Sequence, residues 1–137
     1  MIKQYTIQLP AYERGFHLIT DQVKSAIRDQ LPEQGLINIF LRHTSAGLCI
    51  NENHDPAVLE DFETTYNHMV PENQPFYTHT EEGSDDMPSH IKSSMTGVSL
   101  TFPIRNGAFD FGTWQGIYLC EFRNHSSGRK LTITVYE

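Results

Sequence analysis

A chain of 137 residues with 38% hydrophobic content and a formal charge of −7 is sized for one modest core, which self-association would help to complete. Its pI near 5.4 argues against a general phosphate-backbone binder, which needs a basic face to displace counterions, so nucleic acid is not an expected partner. No stretch approaches about 18 consecutive apolar residues and no positive region followed by an apolar run opens the sequence, so no membrane association is expected and the chain reads as cytoplasmic.

No linker, long charge run or internal repeat interrupts the sequence, and residues 1–137 read as a single domain. Tyr5, Ile7 and Leu9 alternate with polar neighbours, the pattern of a half-buried strand, and Gly15 to Ile19 gives a second. Thr20 is expected to cap a helix over 21–31 whose Val23, Ala26, Ile27 and Leu31 form one apolar stripe. His17 alternates away from that apolar run and is assigned a structural or surface place.

Leu36 to Leu41 is too continuously apolar for an edge and is expected to be a central strand. It runs into Arg42-His43-Thr44-Ser45-Ala46-Gly47. A histidine placed where a buried strand ends among small hydroxyl residues can reach a cleft, and the alternative is that His43 only bonds the turn. Leu48 to Asn51 is a further strand, ending at Glu52-Asn53-His54. Asp55-Pro56 then starts a helix, with Val58, Leu59, Phe62, Tyr66 and Met69 as its core stripe. Glu52 and Asn53 lie at a strand-to-helix junction, where functional residues are often held, although capping is the simpler role. His54 and His68 are assigned to the surface.

The segment from Tyr77 to Ser93 places His79 and His90 among Glu81, Glu82, Asp85 and Asp86, with no apolar periodicity until Pro88 and Ile91. Histidine titrates nearest neutrality and is the commonest metal ligand, and neighbouring carboxylates can orient its ring, share its proton or join the coordination shell. The alternative is a solvated acidic loop. A short helix is expected from a cap at or near Asp86, with Pro88 in its first turn, Gly97 as its stop, and Ile91 and Met95 facing the core.

Asn106-Gly107 between Val98–Ile104 and Ala108–Phe111 is a strong hairpin signal. Gly112-Thr113-Trp114-Gln115-Gly116 offers flexible backbone, the sole tryptophan and an amide, and reads either as a bulge with a packed indole or as a ligand contact. Ile117–Phe122 and Leu131–Tyr136 complete the strands. Arg123, Arg129 and Lys130 read as a solvated terminal hairpin or as a small-anion contact. Cys49 and Cys120 lie in apolar runs and are expected to be buried, reduced thiols.

Five phrases, Arg-Gly-Phe-His-Leu-Ile-Thr-Asp at 14–21, His-Thr-Ser-Ala-Gly at 43–47, Asn-Glu-Asn at 51–53, Glu-Gly-Ser-Asp-Asp-Met-Pro-Ser-His-Ile-Lys-Ser-Ser at 82–94 and Gly-Thr-Trp-Gln-Gly-Ile at 112–117, together resemble the YjbQ family, also called the secondary thiamine-phosphate synthase family. The resemblance implies an α+β subunit of packed, mostly antiparallel sheet with two longer helices and one short one. It also implies a homotrimer with sites near subunit boundaries. The associated activity is a weak thiamine-phosphate synthase reaction, joining a pyrimidine diphosphate to a thiazole phosphate with release of diphosphate. By position, the family's site would fall on His43, His79, Asp86 and His90, with Glu52 and Gln115 nearby.

Three classes of function follow as expectations. In the first, an enzyme holds a divalent metal on His43, His79 and His90 while Asp86 orients a ligand or acts as base; its close variant is a metal-free enzyme that uses His90 and Asp86 as an acid/base pair. Those residue types suit zinc, nickel, manganese or iron(II) alike. In the second, the same cleft binds a small molecule or metal without turnover, and in the third the chain is a structural assembly protein whose histidines serve only the subunit interface.

Overall fold

The computed structural model describes residues 1–27 and 30–137. Its strands are β1 (Ile2–Leu9), β2 (Gly15–Leu18), β3 (Gln34–Leu41), β4 (Ala46–Glu52), β5 (Ser99–Arg105), β6 (Ala108–Phe109), β7 (Gln115–Glu121) and β8 (Arg129–Tyr136). Helices α1 (Thr20–Ile27), α2 (Pro56–Met69) and α3 (Asp86–Thr96) lie between them. Two antiparallel sheets result, one in the order β1-β8-β3-β5-β6 and one in the order β2-β7-β4. This is the expected α+β class.

Strand periodicity explains the layers. Ile37, Ile39 and Leu41 of β3 and Leu131, Ile133 and Val135 of β8 point inward to meet Leu48 of β4 and Ile117 and Leu119 of β7. Helix α1 closes this core with Val23 and Ile27. Strand β7 is buried on both faces, because Tyr118, Cys120 and Phe122 form a second cluster with Phe16 under Leu59, Phe62 and Tyr66 of α2. The order is therefore five-stranded sheet, three-stranded sheet, α2. β3 is central, between β8 and β5. Among the described residues no layer covers the far face of the large sheet, and Leu36 and Phe40 stay exposed there.

Several local expectations change. Thr20 turns its hydroxyl to the Ile117 N–H at 2.9 Å instead of capping its own helix. The reach expected for that helix to residue 31 passes through 28 and 29, which lie outside the described residues. Asp55 does cap α2, accepting from the Ala57 N–H at 2.9 Å with Pro56 in the first turn. Asn106 (φ 54) and Gly107 (φ 71) make the two-residue turn between β5 and β6, the left-handed pair that such hairpins demand. The terminal hairpin does not form, since β7 and β8 belong to different sheets. Arg129 is instead buried on Glu121, its Nε donating to Oε1 at 2.8 Å.

α3 is turned relative to expectation. Met95 is exposed, and the inward face carries Asp86, Ser89, Lys92 and Ser93. Asp86, Ser89 and Lys92 occupy that face because each finds a partner, which apolar periodicity cannot register.

Candidate functional site

Helix α3 opens on two aspartates that do not cap it. Arg123, just past β7, takes both: its Nε donates to Asp85 Oδ2 at 2.8 Å, its Nη1 to Asp86 Oδ1 at 2.5 Å, and its Nη2 to the Glu82 carbonyl at 3.0 Å. The Asn124 N–H also donates to Asp85 Oδ2, at 2.9 Å. These contacts fasten the loop before α3 to the end of the doubly buried strand.

With Oδ1 taken, Asp86 presents Oδ2 to both histidines. His79 Nε2 lies 2.6 Å from it and His90 Nε2 3.2 Å. Ligand atoms of His79, Asp86 and His90 all fall within 4.8 Å of one another. The Asp86 side chain is 2% exposed while the His79 and His90 side chains are 47% and 30% exposed, so a buried carboxylate anchors two rings that open outward. Burial alone would raise the Asp86 pKa, but the His79 hydrogen bond, Arg123 and His90 outweigh it and hold the carboxyl below its ordinary range. Asp85 is lowered in the same way, with the Asn124 N–H and Arg123 overcoming burial.

His90 has a further constraint. Its Nδ1 is 2.8 Å from the Thr44 carbonyl, which only accepts, so Nδ1 carries a hydrogen. Its Nε2 then faces Asp86 Oδ2, another acceptor. A neutral imidazole has a single N–H, so the second contact calls for a cation, either a second ring proton or a metal ion on Nε2. A carbonyl holding the far nitrogen is also the usual way that metal-binding imidazoles are oriented.

His43 stands apart from this group. Its Nε2 accepts the Lys130 N–H at 2.8 Å, and burial, with Arg129 next in effect, lowers its pKa. It does share a cavity of about 790 Å³ with His90, bordered also by Arg42, Thr44, Ser93 and Ser94 and by the apolar Phe40 and Val98.

Glu52 and Gln115 pair in register at the other end of β4, roughly 20 Å from Ala46 at the strand's start, at about 3.3 Å per residue. Gln115 Oε1 accepts the Gly112 N–H at 2.8 Å, Glu52 Oε2 lies 3.4 Å from the Asp55 N–H, and exposed Trp114 packs against His54. Within one chain these residues do not meet the histidines. His17 lies on Tyr12 with its Nε2 2.6 Å from the Glu13 carbonyl, and His68 is exposed.

The family described as "UPF0047 protein YjbQ-like" matches residues 5–137. The chain belongs to this family. A YjbQ protein of Salmonella typhimurium is 50% identical over 133 residues, 96% of each chain, and YugU of Bacillus subtilis is 35% identical over 118 residues, 85% of this chain and 87% of that one. Among solved structures, a conserved hypothetical protein from Thermus thermophilus superposes with a TM-score of 0.81 at 30% identity, covering 93% of this chain and 96% of that one. A protein of unknown function from Sulfolobus solfataricus also reaches 0.81, at 25% identity and 98% of each chain.

In this YjbQ-like chain, sequence reasoning misses two residues of the site. Arg123 reads as part of a terminal basic cluster, although an arginine directly after a largely apolar strand, in a chain with one strongly acidic loop, was a signal that could have paired the two. Lys92 is 1% exposed, donates to Asn67 Oδ1 at 2.7 Å and lies over the Phe122 ring. Arg14 donates to the same Asn67 oxygen and also reaches Glu63 and Glu72, and Ser84 donates to Glu72. This network joins α2, α3 and the loop between them beneath the histidines.

Proposed function

We propose that the protein is a metal-assisted enzyme acting on a small phosphorylated heterocycle, with His79, Asp86 and His90 as the ion-binding group. The observation that carries the reading is His90, whose two ring nitrogens both face oxygen acceptors. Two imidazoles and one carboxylate suit a divalent transition ion and leave positions open for water or substrate. When bound, such an ion neutralises charge developing on a departing diphosphate. Arg42 and the hydroxyls of Thr44 and Ser93 give the adjoining cavity a cation and donors for phosphate, and Phe40 and Val98 give it an apolar wall for a ring. His43, with Nε2 engaged by backbone, fits this cavity as a hydrogen-bond donor through Nδ1 better than it fits the ion.

A weak thiamine-phosphate synthase reaction is consistent with that mixture of groups, and the second reading is a protein that binds the same ligands without turnover. We further infer self-association through the open face of the large sheet, where Ile2, Leu36, Phe40 and Tyr136 are 62%, 46%, 45% and 43% exposed. Phe40 also borders the cavity, so a copy seated on this face would border the site, as a homotrimer with boundary sites requires. Glu52 and Gln115 enter the reaction only if a neighbouring copy supplies them.

Elemental analysis of untagged protein, wild type beside His90→Ala, with light scattering on both, tests the ion site. About one metal per chain in the wild type, lost in an equally assembled variant, is the expected result. No metal in either after incubation with zinc and manganese rejects it. Mass spectrometry after mixing a pyrimidine diphosphate with a thiazole phosphate then separates enzyme from binding protein by the presence of coupled product.

A further inference from the structure

Away from the histidines, the second cluster holds chemistry that a core does not need. Cys49 of β4 stands opposite Tyr118 of β7, and Cys120 lies two residues further along β7, opposite Gly47. Side chains two apart on a strand share a face, so the two thiols lie diagonally across the ladder, both toward α2. Their Sγ atoms are 3.7 Å apart and both are free. Cys120 is wholly buried and Cys49 is partly open.

We propose that Cys49 and Cys120 are a peroxide-sensitive dithiol that closes to a reversible disulfide between β4 and β7. The two thiols are unequal in the way such a pair needs. The hydrogen bond from Cys120 lowers the Cys49 pKa, while that same contact and burial push Cys120 well above the ordinary thiol value. Cys49 is therefore the sulfur that ionises, and it is also the one that a water-sized oxidant meets first. Its thiolate attacks one oxygen of hydrogen peroxide, the O–O bond breaks, and hydroxide leaves and takes up a proton. The Cys49 sulfenic acid that forms is attacked by Cys120 sulfur, which releases its proton as the S–O bond breaks and a second water departs. Two thiols and one peroxide thus become one disulfide and two waters.

The geometry also makes the bond reversible. Diagonal neighbours in an antiparallel ladder sit roughly 7 to 8 Å apart, beyond the roughly 4.4 to 6.8 Å usual between the Cα atoms of a disulfide. Closure from 3.7 Å to about 2 Å between the sulfurs must therefore draw the two strands together. Strained disulfides are the readily reduced ones.

The test uses the full chain, reduced with dithiothreitol, freed of it, and exposed to limiting hydrogen peroxide before alkylation and denaturing mass spectrometry with peptide mapping. The expected product is a single chain lighter by two hydrogens, with neither cysteine alkylated, returning to two alkylated thiols after dithiothreitol. In Cys120→Ser, Cys49 should accumulate sulfenic acid, trapped by dimedone, at peroxide levels where the wild type shows little adduct. Two fully alkylated thiols in wild type at peroxide doses that oxidise a small-molecule thiol overturn the proposal. So does oxidation of Cys49 to sulfinic acid, or disulfide found only between chains. The decisive reading is on the wild-type protein and does not depend on any variant folding, nor on whether a metal occupies the histidine site.

Discussion

Asp86 answers three cationic or donating groups with one carboxylate, Arg123 on one oxygen and both histidines on the other. Replacing it with Asn at pH 7 removes the buried negative charge that Arg123 and both rings contact, but Arg123 keeps Asp85 and the rings are part-exposed, so a loss of roughly 2 kcal/mol is expected from urea unfolding. The pH dependence has a definite sign. The folded pKa of Asp86 is below its unfolded value, so its contribution is complete above the ordinary carboxyl range near 4 and disappears as pH falls through the depressed folded value. Wild-type stability should therefore drop more steeply than that of Asp86→Asn between about pH 4.5 and 2.5, and parallel curves count against the assignment. Lys92 gives the same sign in a different range and for a different reason: burial lowers its pKa by disfavouring the charged form, so the unfolded chain holds its proton to higher pH and stability should rise with pH as the alkaline range is entered. Lys92→Met keeps the packing on Phe122 and should cost less than about 1.5 kcal/mol, against roughly 2 to 4 for Lys92→Ala, and it should remove that alkaline rise. At this scale the histidines and Asp86 were legible because they stand in a segment with no apolar pattern. Arg123 and Lys92 were not, because their partners come from Asp85 and Asn67, 38 and 25 residues away.

Helix α3 reaches β4 where β4 has no side chain. A Cβ on Gly47 would run into Thr96 Oγ1 and lie 2.9 Å from Thr96 Cβ, and the Leu48 N–H donates to the Gly97 carbonyl beside it. Gly47→Ala must push the end of α3 away and is expected to cost about 2 kcal/mol. Because Thr44, three residues earlier, holds His90 from its carbonyl, the same substitution should also weaken zinc binding, measured by competition with a chromophoric chelator. Unchanged zinc affinity in a destabilised variant would separate the strand from the site. The Asn106-Gly107 hairpin was readable because its signal lies within its own two residues. The placement of Arg129 was not, since the sequence between β7 and β8 gives no sign that the chain changes sheets there.

Among the described residues one broad sheet face stays open, and that face borders the cavity through Phe40. Phe40→Asp or Leu36→Asp should reduce the mass seen by light scattering to the 15.7 kDa of one chain, and melting should lose its dependence on protein concentration. An unchanged assembled mass removes this face as the interface. The α+β class was legible from alternating strands and two sharp helix starts, but the layering was not, because which strand is covered on both sides depends on distant partners. β3 is held between β5 and β8, and the order of these strands in the chain matters during synthesis. On the ribosome, β3 emerges long before residues 99–105 and 129–136 exist, so a strongly apolar strand waits with both edges unsatisfied and is a template for any other nascent chain. Translation speed and chaperone occupancy over that interval, more than the stability of the finished fold, should decide how much of the protein is recovered intact.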